Sequence, residues 1–165
     1  MKRIIAMFAC IVLGIFSTIM YITLLVSIHN SIPTIPTYIA PVHDQRVGIL
    51  SDFMDTKKFT NKQDIHAILL CADRYNINWR LLPAIELKES SGGKRYIRST
   101  HNPFGWGSDT IGFKTDKEAI CTISSNLANG SHYKGKSIEE KLTSYNNDSY
   151  AKEVIQIMKI IKETK

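Results

Sequence analysis

"LPAIELKESSGGK" (Leu82–Lys94) decides the fold of this chain, together with "HNPFGWGSD" (His101–Asp109), which follows it closely. The apolar residues of the first stretch fall on more than one face of a helix, and Pro83 fits in its first turn. They predict a central helix from about Trp79 or Leu82 to Ser90 that is buried on most sides. We expect Gly92 and Gly93 to end it, because glycine adopts positive φ without a steric penalty.

This helix carries two carboxylates, Glu86 and Glu89. A buried carboxylate is costly unless it is hydrogen-bonded, neutral or functional. Glu89 lies in the last turn, where the helix macrodipole disfavours a negative charge, and apolar neighbours would disfavour it further. A carboxyl group in such a place can stay protonated and act as a general acid. An ordinary solvated helix end is the alternative for either glutamate.

The second stretch belongs to a region without helical periodicity. From Tyr96 to Lys114, Asn, Pro, Gly and aromatic residues predict a loop with a small β-hairpin. In "NPFGWG" (Asn102–Gly107), Phe104 and Trp106 offer flat apolar faces against which sugar rings could lie. A hydrophobic plug that covers a small core is the alternative for this loop.

Amphipathic helical patterns flank these two stretches, and together they predict a mainly α domain of the α+β kind with a small irregular or β-hairpin loop region. The predicted helices are "RVGILSDFM" (Arg46–Met54), a segment capped within Thr60–Asp64 that ends near Asn76, "TDKEAICTISSNLANG" (Thr115–Gly130) with a Thr115/Glu118 capping box, "SIEEKLTSYN" (Ser137–Asn146) with a Ser137/Glu140 capping box, and "SYAKEVIQIMKII" (Ser149–Ile161).

The N-terminal segment has a different character. No charged residue occurs from Ile4 to Ile28, and a helix of about 25 residues spans roughly 37 Å, more than the bilayer's hydrocarbon core of about 30 Å. Residues 1–30 therefore predict a cytoplasmic tip and one transmembrane anchor. Lys2 and Arg3 precede the span, so the positive-inside bias places the rest of the chain outside the cytoplasm. A cleaved signal peptide is the alternative.

Residues 31–44 hold three prolines without periodicity and predict an extended linker, which leaves residues 45–165 as the predicted domain. The formal net charge of the chain is +6, and Lys2 and Arg3 are its only charged residues before Asp44. The mildly basic remainder suits an anionic polymer such as a cell wall, with ordinary solubility as the alternative. Nucleic acid is disfavoured as a partner because the sequence has no dense basic stripe.

Three cysteines and five histidines bear on disulfides and metals. Cys71 and Cys121 lie on apolar helix faces and are most simply small core residues, but outside the cytoplasm they could also pair. The sequence leaves these two alternatives open. The histidines show no spacing typical of a zinc site, so we predict no metal and no other cofactor.

One further motif, "SYN" (Ser144–Asn146), joins two predicted helices and can return a phenol and an amide to the same cleft. Together, four motifs resemble the glucosaminidase-type branch of the lysozyme-like superfamily, which includes bacterial autolysins and flagellar peptidoglycan hydrolases. They are Glu89 with two serines at the end of a buried helix, "NPFGWG", the F-x-x-x-x-E-A-I pattern of Phe113–Ile120, and "SYN". The resemblance covers Asp44 to Ile161 and implies a lysozyme-like fold.

The resemblance also implies roles for individual residues. Glu89 matches the family's catalytic acid, Ser90 matches a residue that helps to position it, and Glu86 matches no catalytic position, so we expect a structural role for Glu86. The aromatic loop would line the sugar cleft, with a tyrosine-asparagine pair opposite the acid. The residues expected at the substrate site are Ser90, Ser91, Asn102, Phe104, Gly105, Trp106, Tyr145 and Asn146.

Cleavage of a β-1,4 glycosidic bond needs a proton for the leaving oxygen and stabilisation of an oxocarbenium-like centre. Asp109 is the only acid between Glu89 and Thr115, which makes it the candidate for a second catalytic carboxylate. The N-acetyl group of the substrate can serve instead, in which case one carboxylate is enough and Asp109 is a turn residue.

The expected function is that of a membrane-anchored, extracytoplasmic peptidoglycan hydrolase of the N-acetylglucosaminidase type, which acts as a monomer on the glycan strand. A muramidase or lytic transglycosylase on the same scaffold is one alternative. A catalytically weak cell-wall-binding module is the other. The sequence does not say which glycosidic bond is cleaved.

Overall fold

A computed structural model of the chain describes residues 44–60, 65–108 and 111–163. The predicted membrane span and linker lie outside these residues, as do Asp109 and the predicted caps between Asn61 and Asp64. Within the described ranges, no helix combines the length and the apolar character needed to cross a bilayer. The described helices all lie in the segment predicted as a separate domain, residues 45–165.

Helices make up the regular structure of this part of the chain. They are α1 (Gln45–Thr56), α2 (Ile65–Tyr75), α3 (Leu81–Ser90), α4 (Asp116–Asn129), α5 (Ile138–Tyr145) and α6 (Asp148–Glu163), with a short 3-10 turn at Arg98–Thr100. The prediction of a mainly α domain is confirmed. The predicted β-hairpin between α3 and α4 is wrong for the described residues on either side of positions 109–110, which form no strand. Side-chain hydrogen bonds hold that loop in place of a strand ladder.

Side-chain caps begin α4 and α5. Ser137 and Glu140 form the full capping box predicted for α5. The box predicted for α4 forms only in half: Thr115 Oγ1 accepts a hydrogen bond from Glu118 N at 3.1 Å, whereas the Glu118 carboxylate accepts one from Lys114 N at 2.7 Å. The carboxylate thus satisfies the amide that lies one residue outside the predicted partner.

The end of α3 lies one residue before the predicted glycines. Ser91 adopts the left-handed conformation with a φ of 57°, and its backbone N–H donates to Glu86 O. α3 thus ends at Ser90, as predicted, but the first residue with positive φ is Ser91 and not a glycine; Gly92 and Gly93 follow with φ of 73° and 77°. Gly92 is also required by space, because a Cβ there would lie 2.7 Å from the ring of buried Phe59.

Every helix contributes to one cluster of buried apolar side chains. α2 packs on α4, α3 and α5 both pack on α6, and α1 contacts α2 and α6. All residues from Leu81 to Glu86 are buried, which confirms the prediction that α3 is central. The largest fully buried side chains are Phe53, Phe104, Leu50, Ile68, Leu69, Leu81, Ile85, Ile120, Ile123, Leu127, Leu142 and Ile161.

A disulfide joins Cys71 of α2 to Cys121 of α4, with the two Cα atoms 5.2 Å apart. The structure thus contains the pair, one of the two alternatives that the sequence left open. The bond closes a loop with a sequence separation of 50 residues. This loop includes α3 and the aromatic loop after it, so both parts of the predicted site lie between the two bridged positions.

Candidate functional site

A cleft of about 480 Å³ opens beside the C-terminal end of α3. Its walls come from the last turn of α3 and from the loop between α3 and α4, so the two stretches quoted first in the sequence meet here. The volume lies in the range of small-molecule sites. The lining residues are Glu89, Ser90, Arg95, Tyr96, Ile97, Thr100, Asn102, Pro103 and Gly105.

Glu89 is half-buried at the cleft, and its carboxylate lies against the backbone of Gly105. A Cβ on Gly105 would come within 2.8 Å of Glu89 Oε2, and the φ of Gly105 is 63°. Both the space and the conformation therefore require glycine at this position. Among the described residues that line the cleft, Glu89 alone carries a carboxylate.

Asn102 organises the aromatic loop from inside. The residue is only 4% exposed. Its Nδ2 lies 3.0 to 3.2 Å from the carbonyl oxygens of Trp106, Ser108 and Ile111, and its Oδ1 accepts a hydrogen bond from Trp106 N at 3.0 Å. Because both ends of the amide are used within the loop, the structure corrects the expectation that Asn102 offers its amide to a substrate.

Phe104 is a core residue. Its side chain is 0% exposed, so the expected apolar face for a sugar ring is not available. The backbone keeps a role near the site, because Phe104 O accepts a hydrogen bond from Tyr145 Oη at 2.6 Å. The alternative reading of this loop, a hydrophobic plug over the core, therefore holds for Phe104, while Trp106 remains half-buried and accessible in part.

Trp106 belongs to a row of aromatic rings. Its ring centroid lies 5.8 Å from that of Tyr133 and 5.6 Å from that of Tyr145. Tyr145 in turn stacks on Tyr150 at 5.7 Å with an interplanar angle of 3°. The row places an aromatic surface from three different segments beside the aromatic loop.

Two tyrosines of this row lie close to Glu89. Burial raises the pKa of the Tyr145 phenol well above its ordinary value, and the negative charge of Glu89 raises it further. The pKa of Tyr150 is also raised, first by burial and then by the charges of Tyr145 and Glu89. The Tyr150 hydroxyl makes no hydrogen bond of ordinary length and angle with the described residues, so it approaches Glu89 without a formed hydrogen bond.

The expected tyrosine-asparagine pair is divided between two environments. Tyr145 is half-buried near Glu89, but its proton is already committed to Phe104 O. Asn146 is exposed just after α5, where its Oδ1 accepts a hydrogen bond from Asn147 Nδ2 at 2.7 Å. It does not line the cleft formed by the described residues.

The two serines after Glu89 serve the backbone. Ser90 is 1% exposed, and its Oγ donates to Glu86 O at 3.0 Å and accepts from Gly93 N at 2.9 Å. These bonds fix the chain where it leaves α3, directly after Glu89, and Ser90 lines the cleft with its hydroxyl used by the backbone. Ser91 supplies the left-handed end of the helix.

Glu86 lies on the buried side of α3. It is 0% exposed and is absent from the cleft lining. Its charge is one of the influences on Tyr96, whose pKa is raised mainly by burial and then by Asp116. The two glutamates of α3 therefore have different environments, although they are one helical turn apart.

Several residues near the site were not anticipated from the sequence. Arg95, Tyr96 and Thr100 line the cleft, and Tyr133 and Tyr150 extend the aromatic row. Periodicity offered a signal for Tyr150, because it precedes Val154 and Met158 at steps of four residues on the buried face of α6. No local pattern identifies the others, since loop residues converge only through the fold.

The described residues contain no group of three or more His, Cys, Asp or Glu side chains that could hold a metal ion. Asp109 lies outside them, so its predicted catalytic role has no geometry. Comparison of the chain with protein-family models, with curated proteins and with solved structures gave no match.

Proposed function

We propose that this chain cleaves β-1,4 glycosidic bonds of peptidoglycan glycan strands, with Glu89 as the general acid. The observation that supports this most is the position of the Glu89 carboxylate, held against Gly105 at the edge of a cleft with an aromatic row beside it. A proton donor at a cleft suits glycosidic cleavage, and flat apolar rings near it suit the binding of sugar rings.

In the proposed reaction, protonated Glu89 donates its proton to the leaving glycosidic oxygen as the C–O bond breaks and the sugar ring acquires oxocarbenium character. The close approach of Gly105 to the carboxylate restricts where the carboxyl group can lie, which helps to keep it at the cleft. The half-buried Tyr145 and the buried Tyr150 lie close enough to Glu89 for its charge to act on both phenols.

The developing positive charge needs a partner on the sugar. Because Glu89 is the one carboxylate among the described lining residues, we favour the 2-acetamido group of the substrate as that partner. Asp109 stays the alternative, as a second protein carboxylate. The proposed substrate is therefore a strand of N-acetylated amino sugars. The proposed activity is that of an N-acetylglucosaminidase.

A muramidase or lytic transglycosylase remains the second candidate, because a site with one carboxylate also suits a reaction in which the substrate supplies its own nucleophile. The disulfide supports an oxidising location for either activity, since such bonds persist outside the cytoplasm. The proposed location is the outer side of the cell membrane, with residues 1–30 as the anchor.

The test is digestion of purified cell wall, with the new ends identified by mass spectrometry. Reducing N-acetylglucosamine ends would support the first candidate, and reducing or anhydro-muramic ends the second. Glu89→Gln should lower release at least about 100-fold because the donated proton is lost. The matched control is Glu139→Gln, an exposed carboxylate on α5, which should leave release unchanged.

Both variants should unfold in urea within about 1 kcal/mol of the natural chain, since neither fills or empties the core. If Glu89→Gln releases fragments at the rate of the natural chain, Glu89 is not the proton donor. If the natural chain releases no fragments but sediments with the wall, the wall-binding alternative replaces the enzyme.

A further inference from the structure

A second cavity, of about 310 Å³, lies where the N-terminal end of α3 meets α5 and α6. Three of its lining residues are apolar, two are basic, one is an amide and none is acidic. They are Ile138, Ile155, Met158, Arg80, Lys159 and Asn78. This volume is at the lower end of the range for small-molecule sites.

Arg80 is the unusual member of this lining. Its guanidinium Cζ lies 3.9 Å from the centroid of the Trp79 ring, and its buried Nε has no hydrogen-bond partner among the described residues. Partial burial lowers the pKa of the Arg80 guanidinium. The residue is half-buried, and no carboxylate of the described residues forms an ion pair with it.

The other polar residues of the cavity do not supply the missing charge. The Oδ1 atom of Asn78 accepts a hydrogen bond from the backbone N–H of Arg80 at 3.0 Å, so that atom is already used. Lys159 is exposed on α6 and adds a second positive charge to the same lining. The cavity therefore offers positive charge at one part of its wall and aliphatic surface at another.

This combination of groups defines the ligand chemistry. We infer that the cavity between Arg80, Ile155 and Lys159 is a binding site for a small organic carboxylate with an apolar body. The terminal amino groups of Arg80 match a carboxylate in geometry, and Ile138, Ile155 and Met158 would cover an aliphatic chain. A phosphate without an apolar body would leave that surface uncovered.

The site is separate from the Glu89 cleft. Arg80 immediately precedes α3 and Glu89 lies in its last turn, so the two positions are roughly 13 Å apart along the helix at about 1.5 Å per residue. No residue lines both cavities. The inference therefore stands independently of the proposed glycosidase activity.

The test titrates the full 165-residue chain with the sodium salts of butyrate, pentanoate and hexanoate. Binding is measured from the NMR chemical shifts of the protein's methyl groups. The expected result is a saturable change at Ile138, Ile155 and Met158, with affinity rising about fourfold for each added methylene as apolar surface is buried. Hexanamide, which has nearly the shape of hexanoate without its charge, should bind at least about tenfold more weakly. Inorganic phosphate should not compete with hexanoate.

Arg80→Gln should weaken hexanoate binding at least about tenfold through loss of a charged hydrogen-bond donor. Because Arg80 also packs on Trp79, Lys159→Gln provides a second variant at an exposed position, and it should weaken binding in the same direction. Lys152→Gln, exposed on the same helix and outside this cavity, is the matched control. Equal binding of hexanamide, unchanged binding in both variants, or shifts confined to the Glu89 cleft would each overturn the inference.

Discussion

Gly105 is the residue on which the geometry of the cleft most depends. Its positive φ and the 2.8 Å distance from a Cβ to Glu89 Oε2 exclude a larger side chain without movement of the carboxylate. A carboxyl group moved by about 1 Å can lose on the order of 100-fold in rate, because proton donation depends on alignment. The glycine therefore links backbone conformation to the proposed chemistry.

Gly105→Ala is expected to lower glycan cleavage by about 100-fold while the domain stays folded. The control is Gly135→Ala, because Gly135 has a similar φ of 78° but no atom within 4 Å of an added Cβ. Both variants should lose on the order of 1 kcal/mol of stability from the left-handed backbone. Cleavage rates and urea unfolding of the pair separate the two effects; equal cleavage rates would contradict the role given to Gly105.

Titration of Tyr150 is expected to lower the stability of the domain at alkaline pH. Its folded-state pKa is raised above the unfolded value of about 10, so the native state keeps the phenol proton where the unfolded chain releases it. This contribution to stability is fully present below about pH 10 and is lost as the pH rises further, towards the folded-state pKa.

Tyr150→Phe removes this titration and keeps the ring that stacks on Tyr145. We expect the free energy of unfolding at pH 7 to change by less than about 1 kcal/mol, since the hydroxyl makes no well-aligned hydrogen bond. Above about pH 10 the natural chain should lose stability more steeply than the variant. Urea unfolding from pH 7 to 11 measures this, and parallel curves would show that Tyr150 does not titrate with unfolding.

At the scale of structural elements, the aromatic loop owes its shape to one side chain. Asn102 lies within hydrogen-bonding distance of three carbonyl groups and accepts one amide proton, and no strand ladder supports the described part of this loop. Phe104 anchors the same loop in the core. The buried Asn102 and Phe104 thus position Gly105 and Trp106, which follow them.

Asn102→Ala should lower the free energy of unfolding by about 2 to 3 kcal/mol, because several partly buried hydrogen bonds to the loop backbone are lost together. Asn126→Ala is the comparison, since the Asn126 side chain donates a single hydrogen bond, to Thr122 O at 2.9 Å. That variant should lose only about 1 kcal/mol. Urea unfolding measures both, and an equal loss would mean that Asn102 does not organise the loop.

At the scale of the whole molecule, the disulfide connects two helices that are distant in the sequence. Cys71 and Cys121 lie on α2 and α4, which pack on each other, and the residues between them carry most of the cleft. The ion pair between Lys88 and Glu153 adds a second long-range link, from α3 to α6. The cleft therefore depends on contacts between distant segments.

Removal of the disulfide with Cys71→Ala and Cys121→Ala together should lower the free energy of unfolding by about 4 kcal/mol, the chain-entropy value for a loop of this length. Cys10→Ala, which leaves the bridge intact, is the control. Urea unfolding under non-reducing conditions measures both. A loss below about 1 kcal/mol in the double variant would show that the cross-link contributes little to the folded state.

The helices follow from local sequence because their causes are local. Apolar spacing, the Ser137/Glu140 box and the tolerance for Pro83 in a first turn act over a few residues, and each of these features is present in the structure. The helix end at Ser90 was also predicted correctly, whereas the left-handed residue after it is Ser91 and not a glycine. Half of the Thr115 box was wrong because the Glu118 carboxylate accepts a hydrogen bond from Lys114 N instead.

The candidate site depends less on local sequence. Some of its residues could be predicted from short patterns and others could not. Sequence patterns sufficed to select Glu89 and the loop that carries Gly105 and Trp106, since a carboxylate in an apolar helix and a Gly-aromatic loop are visible in one stretch. Burial of Phe104, the cysteine pair and the approach of Tyr150 to Glu89 required the packed helices, because these contacts join residues far apart in the chain. The hydrogen bonds of Asn102 stay within its own loop, but no periodic pattern in the sequence indicates them.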